Sequence, residues 1–344
     1  MHIPDGYISP QTAGGLWALM VPAWYTAGYK VKRALSARQA PLVAIGAAFS
    51  FVIMMFNIPL PGGTSGHAVG GTLVAVVLGP WAAVIALSVA LVIQAIFFGD
   101  GGILAIGANC FNMAFALPVT GYLVYRLLAA GSPAVSSRRW LAAGVGGYVG
   151  INVAAFLTAV EVGLQGDLFH AADGSALYSP YGLSQAIPAM MISHLLVVGL
   201  VEAAVTALAV AFLQRTDPGL LGSYAGQATA ARGGFRLRPL ITGIILLLVF
   251  VPLGLLATGT AWGEWSPEEI RSEFGFVPGG MERFAGFWRG VLPDYALPGS
   301  GEGFWASAPG YIVSGAVGLA VIAGITFLAV RLISRRSHRA GQHG

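Results

Sequence analysis

Cysteine and charge are what this chain has least of. One cysteine, Cys110, stands in 344 residues. That excludes an internal disulfide framework and any thiolate-rich metal site; inside an apolar run it reads as a small packing residue. Charged residues make up 9% of the chain against 56% hydrophobic, where soluble domains carry roughly 25%. Such a chain cannot cover a water-facing surface, so the bilayer is its solvent. Lysine occurs only at Lys30 and Lys32. No G-x-x-x-x-G-K-[ST] run is present, so any ATP hydrolysis must come from other chains. The small positive balance, +4, sits in loops and reports membrane orientation rather than affinity for nucleic acid. No basic stretch and no small-residue cleavage site mark a removable leader. Met1 is expected to stay, because initiator methionine is trimmed before small residues and His2 is large.

What the chain has in quantity is apolar runs. They cover about 10–29, 41–56, 68–98, 103–129, 141–164, 184–213, 240–261 and 309–330. A span needs roughly 20 apolar residues. The run 68–98 is too long for one simple span and holds Gly79-Pro80 in its middle, where proline breaks a helix. Positive clusters face the cytoplasm. Lys30, Lys32, Arg33 and Arg38 form one; Arg126, Arg138 and Arg139 a second; Arg215, Arg232, Arg236 and Arg238 a third; Arg331, Arg335, Arg336 and Arg339 the last. All four agree only if 68–98 crosses twice, its first half short and enclosed by protein. The expectation is an all-α polytopic membrane protein of nine spans, amino end outside and carboxyl end inside. A seven-span unit (1–213) leads through a cytoplasmic linker (214–239) to a two-span unit (240–344) with an outside loop domain at 262–308. That loop carries Glu264, Glu268, Glu269, Glu273, Glu282, Asp294 and Glu302.

The amino end, "MHIPDGYISP", places a histidine second, at the outer membrane edge. The α-amine of Met1, the amide nitrogen of His2 and its imidazole can close small chelate rings on one ion. An amide binds only when deprotonated, and nitrogen donors in a square plane suit Ni(II) or Cu(II). A fourth nitrogen is needed. His67, at the end of the glycine-rich outside stretch "PLPGGTSGHAVGG", is the candidate.

Four motifs in order, "MHIPDGY", "GGTSGH", "FFGDGG" and "GANCFNM", resemble the signatures of the nickel and cobalt substrate-binding membrane subunits of energy-coupling factor (ECF) transporters, the NikM/CbiM family. The resemblance covers about 1–213. It implies a six-span substrate-binding fold with one extra amino-terminal span, and a metal held by Met1, His2 and His67. The opening "MHIPDG" is closer to nickel-type members than to the M-H-I-M-E-G of cobalt-type ones. Farther on, "PGGMERF" resembles the P-D-G-L-E motif of the small N-type subunit, with Gly279 where the Asp would be and Met281 where the Leu would be; "LPDYALPG" resembles a second stretch of it. The family implies a separate transmembrane coupling subunit, two cytoplasmic ATPase subunits and a place in the cytoplasmic (inner) membrane. The expected function is capture of Ni(II), or alternatively Co(II), as transported substrate, with no catalysis and no organic cofactor.

Polar residues in apolar runs need partners. Gln94, Asn109 and Asn112, together with Ser65, are candidates for orienting the ligands from behind; helix–helix hydrogen bonding is the alternative. Asp5 and Asp100, in outside turns, either draw cations or cap helices. His194, Glu161 and Glu202 lie at membrane depth and read as structural pairs. Two rivals remain open at this point. Ser65 in "GTSG" with His194 as base would make an intramembrane serine protease, and Glu161 with Glu202 would be the only carboxylates for a proton-coupled carrier.

Overall fold

The structure, a computed structural model, describes residues 1–35, 39–61, 63–221, 237–257, 259–299, 301 and 303–340, the stretch 334–340 by its backbone alone. Arg38, Arg232, Arg236, Glu302 and most of the expected linker lie outside the described residues. The described chain is helical apart from two three-residue strands.

Helix α1, Pro10–Ala34, starts where the Ser9 hydroxyl accepts from Thr12 N, with Pro10 in the first turn, where its missing N–H costs nothing. Lys32 and Arg33 close its last turn, at the negative end of the helix dipole. Helix α2 (Ala40–Met54) returns to the end where α1 began. A short antiparallel hairpin, β1 (Ile58–Leu60) and β2 (Thr64–Gly66), leads into α3 (Gly71–Leu78). Helix α3 stops at Gly79, whose φ of 87° few other residues tolerate, and Pro80 opens α4 (Pro80–Phe98). The long apolar run thus turns at Gly79-Pro80. Every residue of α3 but Val77 is buried, so a helix too short to cross the apolar layer is enclosed by its neighbours.

Helices α5 (106–129), α6 (Ser137–Leu168), α7 (Leu183–Thr216) and α8 (Leu237–Leu256) follow. Two short helices, α9 (Pro267–Phe274) and α10 (Gly279–Phe284), lie in a cap segment, 257–303, ahead of the last long helix α11 (Phe304–Ala340). Among the described residues five helices are long and apolar enough to cross a bilayer: α4, α6, α7, α8 and the Phe304–Ile333 part of α11. Lipid offers no hydrophobic drive between helices, so close approach matters. Helices α5 and α6 meet through glycines: a Cβ on Gly146 would lie 2.5 Å from the Gly121 carbonyl oxygen. Leu127, Leu208 and Leu332 are exposed on outer faces, as lipid-facing residues are.

The cap closes one end of the bundle. Val291 N and Leu292 N both donate to Phe97 O at 2.7 Å, and Gly280 N to Leu177 O at 2.6 Å. Thr64 Oγ1 donates to Thr260 O at 2.9 Å, and Trp288 Nε1 to Ile96 O at 2.9 Å. Helix α11 packs along α2, and the Tyr311 hydroxyl donates to Met55 O at 3.0 Å. The carboxyl-terminal part is therefore docked on the rest through its cap and its last helix.

Candidate metal centre

The amino-terminal segment is buried between the bundle and the cap. Met1, His2, Ile3 and Tyr7 are all buried. Asn109 grips Ile3 from both sides, its Oδ1 accepting from Ile3 N at 2.7 Å and its Nδ2 donating to Ile3 O at 3.2 Å. Gly102 N adds a bond to Ile3 O at 2.9 Å. The Asp5 carboxylate accepts from Ile103 N at 3.0 Å and Leu104 N at 2.8 Å, ahead of α5. Burial pushes the Asp5 carboxyl up, and these backbone N–H groups pull against it. Gly102 has to be glycine, since a Cβ there would run into Asp5. Farther along, the Tyr7 hydroxyl donates to Trp265 O at 2.8 Å, and Gly6 lies against Met281 of the cap.

Three nitrogens at the tip converge on two carboxylates. The Met1 amine donates to Glu264 Oε1 at 2.8 Å, and His2 N donates to the same oxygen at 2.9 Å. His2 Nδ1 faces Asp100 Oδ1 at 2.5 Å. The His67 ring stacks on that of His2, with centroids 5.1 Å apart and planes 27° from parallel. His67 Nδ1 lies 3.1 Å from Ala68 O, a partner that requires an N–H there and leaves Nε2 with its lone pair. Among the described residues, His67 Nε2 and His2 Nε2 are buried without a hydrogen-bond partner. Burial, the amino-terminal charge and His2 together hold the His67 imidazole well below the usual histidine range, against the pull of Asp100. His67 is therefore neutral and a ready donor of its lone pair.

Asp100 is itself held. Its Oδ2 accepts from the Tyr295 hydroxyl at 2.6 Å and from Gln94 Nε2 at 3.2 Å. Burial alone would raise its carboxyl; the His2 ring and the Tyr295 hydroxyl, with His67, outweigh that and hold it below the carboxylate range. Asp294 and Tyr295 adopt positive φ, 51° and 60°. Two adjacent left-handed residues other than glycine are strained by about 1–3 kcal/mol each. The strain is held by the Tyr295 hydroxyl on Asp100 and by its ring, stacked on Phe98 at 4.5 Å. On the far side of His67, Glu202 of α7 is buried and accepts from Val69 N at 2.8 Å and from Gly70 N at 2.9 Å. That clamp fixes the turn from His67 into α3. A cavity of about 350 Å³ adjoins the tip, with His2, His67, Ser65, Asp100, Glu264 and Tyr295 in its wall.

The structure brings Met1, His2, His67, Asn109 and Gln94 to one place, and Ser65 lines the same cavity. It does not bring Asn112 there: its Nδ2 donates to Thr158 Oγ1 at 3.1 Å and Glu161 Oε2 at 2.7 Å, tying α5 to α6. Asp100 caps no helix but holds His2. His194 Nδ1 pairs with Met190 O in its own helix at 2.8 Å, and among the described residues Ser65 and His194 share no hydrogen bond. Gly279, where the related motif has an acid, is exposed and a Cβ there would meet nothing, so that substitution lies away from the centre. Sequence reasoning missed Glu264, which faces the Met1 amine and His2 N, and Tyr295, which holds Asp100. Glu264 is one of seven acids in its loop, with no spacing to single it out. Tyr295 could have been suspected, since it lies within "LPDYALPG".

Among known proteins, the family profile described as "Cobalt uptake substrate-specific transmembrane region" matches residues 2–220, and the one described as "PDGLE domain" matches residues 237–335. The chain is 49% identical to the fused nickel transport protein NikMN of Rhodobacter capsulatus, over 98% of this chain and 100% of that one. It is 46% identical to the probable fused nickel transport protein LarMN of Lactiplantibacillus plantarum, over 87% and 90%. It is 31% identical to the cobalt transport protein CbiM of Geobacter sulfurreducens, over 81% and 80%. A crystal structure titled as that of a transition metal transporter is 56% identical and superposes with a TM-score of 0.59, covering 62% of this chain and 93% of that one.

Proposed function

The chain belongs to the cobalt uptake substrate-specific transmembrane family, with a PDGLE domain fused behind it, and on that premise we propose that it captures Ni(II) at the outer membrane face for import. It is a membrane component of nickel or cobalt transport, not an enzyme. The observation that carries the finer reading is the convergence of the Met1 amine, His2 N and His2 Nδ1 beside a neutral, unpartnered His67 Nε2.

The ligands of the ion are the Met1 amine, the deprotonated His2 amide nitrogen, His2 Nδ1 and His67 Nε2. Amine and amide close a five-membered ring, and amide and Nδ1 a six-membered one. The carboxylates of Glu264 and Asp100 stand where the ion would be: each faces nitrogens whose lone pairs the proposed ligand set gives to the metal. Asn109 and the Glu202 clamp hold the two halves of the donor set in place, as residues behind metal ligands commonly do.

The chain crosses the membrane nine times, α3 and α4 counting as two, with the metal centre and cap outside and the basic helix ends inside. The ion then passes inward when the bundle reorients. A transmembrane coupling subunit and two cytoplasmic ATPase subunits of an ECF complex drive that step, in the cytoplasmic membrane. Co(II) is the second reading, favoured by the relatives named as cobalt transport proteins. A planar set of nitrogens stabilises low-spin Ni(II) more than Co(II), and divalent affinity rises from cobalt to nickel for a given donor set.

Elemental analysis of the purified full chain, grown with nickel and cobalt supplied together, tests this. About one nickel per chain with little cobalt is the expected result. Cobalt in excess would replace nickel as the substrate, and neither metal would remove the capture reading altogether.

A further inference from the structure

We propose that Glu264 is a positioning residue for metal loading: one carboxylate oxygen of the cap sets the Met1 amine and the His2 amide nitrogen on the same side of the chain, in the arrangement the chelate requires, and withdraws as the ion arrives. The inference rests on the ligand reading above and extends it to the cap.

A five-membered ring through the Met1 amine and the His2 amide closes only if both nitrogens lie on one side of the Met1 Cα–C bond. A free chain end rotates about that bond, so holding it on one side has to be done against conformational entropy. Glu264 Oε1 accepts from both nitrogens, at 2.8 Å and 2.9 Å, so it enforces the required side before any ion is present. Metal–nitrogen bonds of about 2 Å to the same pair put the ion on the order of 1 Å from that oxygen. Ion and oxygen cannot both occupy the place, so Glu264 leaves as the ion enters. The carboxylate also lies with His2 and Asp100 in one cluster whose ligand atoms are within 4.8 Å of one another.

The cap is built to bring Glu264 there and to feel its departure. Trp265, the next residue, takes the Tyr7 hydroxyl on its carbonyl oxygen. Tyr295, at the cap's other end, holds the Asp100 carboxylate that faces His2 Nδ1. Every nitrogen of the proposed amino-terminal chelate is thus presented by a carboxylate that the cap supplies or braces. This gives the fused domain a task in loading that the seven-helix unit cannot perform with its own residues.

The test is stopped-flow measurement of Ni(II) association and dissociation on the full chain in lipid nanodiscs, for Glu264→Ala and Glu264→Gln beside the unaltered protein. Glu264→Ala is expected to slow association about tenfold or more with dissociation unchanged. Glu264→Gln, which keeps an acceptor oxygen in the same place, is expected to recover most of the rate. Association at the original rate in Glu264→Ala would overturn the proposal. So would faster dissociation, which would make Glu264 a ligand of the loaded centre, and so would a Gln variant as slow as the Ala variant, which would reduce the role to charge. His67→Ala run in parallel separates the two levels. If it binds nickel normally, the ligand reading has failed; if it does not, and Glu264→Ala loads normally, only the role of the cap has.

Discussion

An extension of a few residues ahead of Met1 is expected to abolish tight Ni(II) binding, and its removal to restore it. The extension turns the Met1 amine into an amide, a donor that binds only after losing a proton it holds far more strongly. It also forces a chain through a place that is closed, since Met1 is buried and its amine is 2.8 Å from Glu264. The control is a protease site ending directly before Met1. Cleavage that regenerates the free amine should return metal stoichiometry to about one per chain, which shows that the fold survived. Binding by the extended chain at the original affinity would remove the amine from the ligand set. A single alanine placed between Met1 and His2 is a less clean experiment. It puts the histidine third, where the amine, two amides and the imidazole close a plane by themselves, so that variant is expected to bind without help from His67.

His67→Ala carries the second large effect. On the proposed ligand set one of four donors disappears and water takes its place, which should lower Ni(II) affinity by several orders of magnitude. The fold should be nearly untouched. Among the described residues the His67 side chain makes one hydrogen bond, to the carbonyl of its own neighbour Ala68, and the turn that follows is held by Glu202 through Val69 N and Gly70 N. Isothermal calorimetry for affinity and a thermal midpoint for the fold are the measurements. An unchanged affinity would move the fourth ligand elsewhere. His194 is then next, although its Nδ1 is engaged by Met190 O.

Much of the fold was legible because bilayer solvation leaves few options. The length of each apolar run, the Gly79-Pro80 break and the lack of charge follow from that one constraint, and the break lies where proline chemistry put it. The candidate donors were legible for a different reason. A histidine in second place and another after a glycine run are chemically unusual, and the structure stacks their rings. Nothing local in the sequence announces the cap's contribution. Glu264 lies 263 residues from Met1, and its meeting with the amino end is decided by tertiary docking alone. Asn109 and Asn112 show the same limit within one helix. At three residues' spacing both were equally good candidates, yet Asn109 faces Ile3 while Asn112 faces α6. Helical period places side chains on a face but not against a particular neighbour.

The claim at the centre of this account is that nickel displaces protons from nitrogens rather than joining ready-made carboxylates. Counting those protons is its most direct test. Calorimetric titration of the full chain with Ni(II), in buffers that do not bind the metal and differ in ionisation enthalpy, gives the number released per ion at each pH. On the proposed ligand set the His2 amide must lose its proton at any working pH, so release of at least one proton per ion is expected. His67, held neutral by burial and by the amino-terminal charge, adds none near neutrality. The apparent affinity should therefore fall at least about tenfold for each unit the pH is lowered between about 8 and 6. Carboxylates with ordinary pKa values are already ionised over that window. A centre built from such carboxylates would release no protons and show a flat affinity, and that result would contradict the amine–amide–imidazole site.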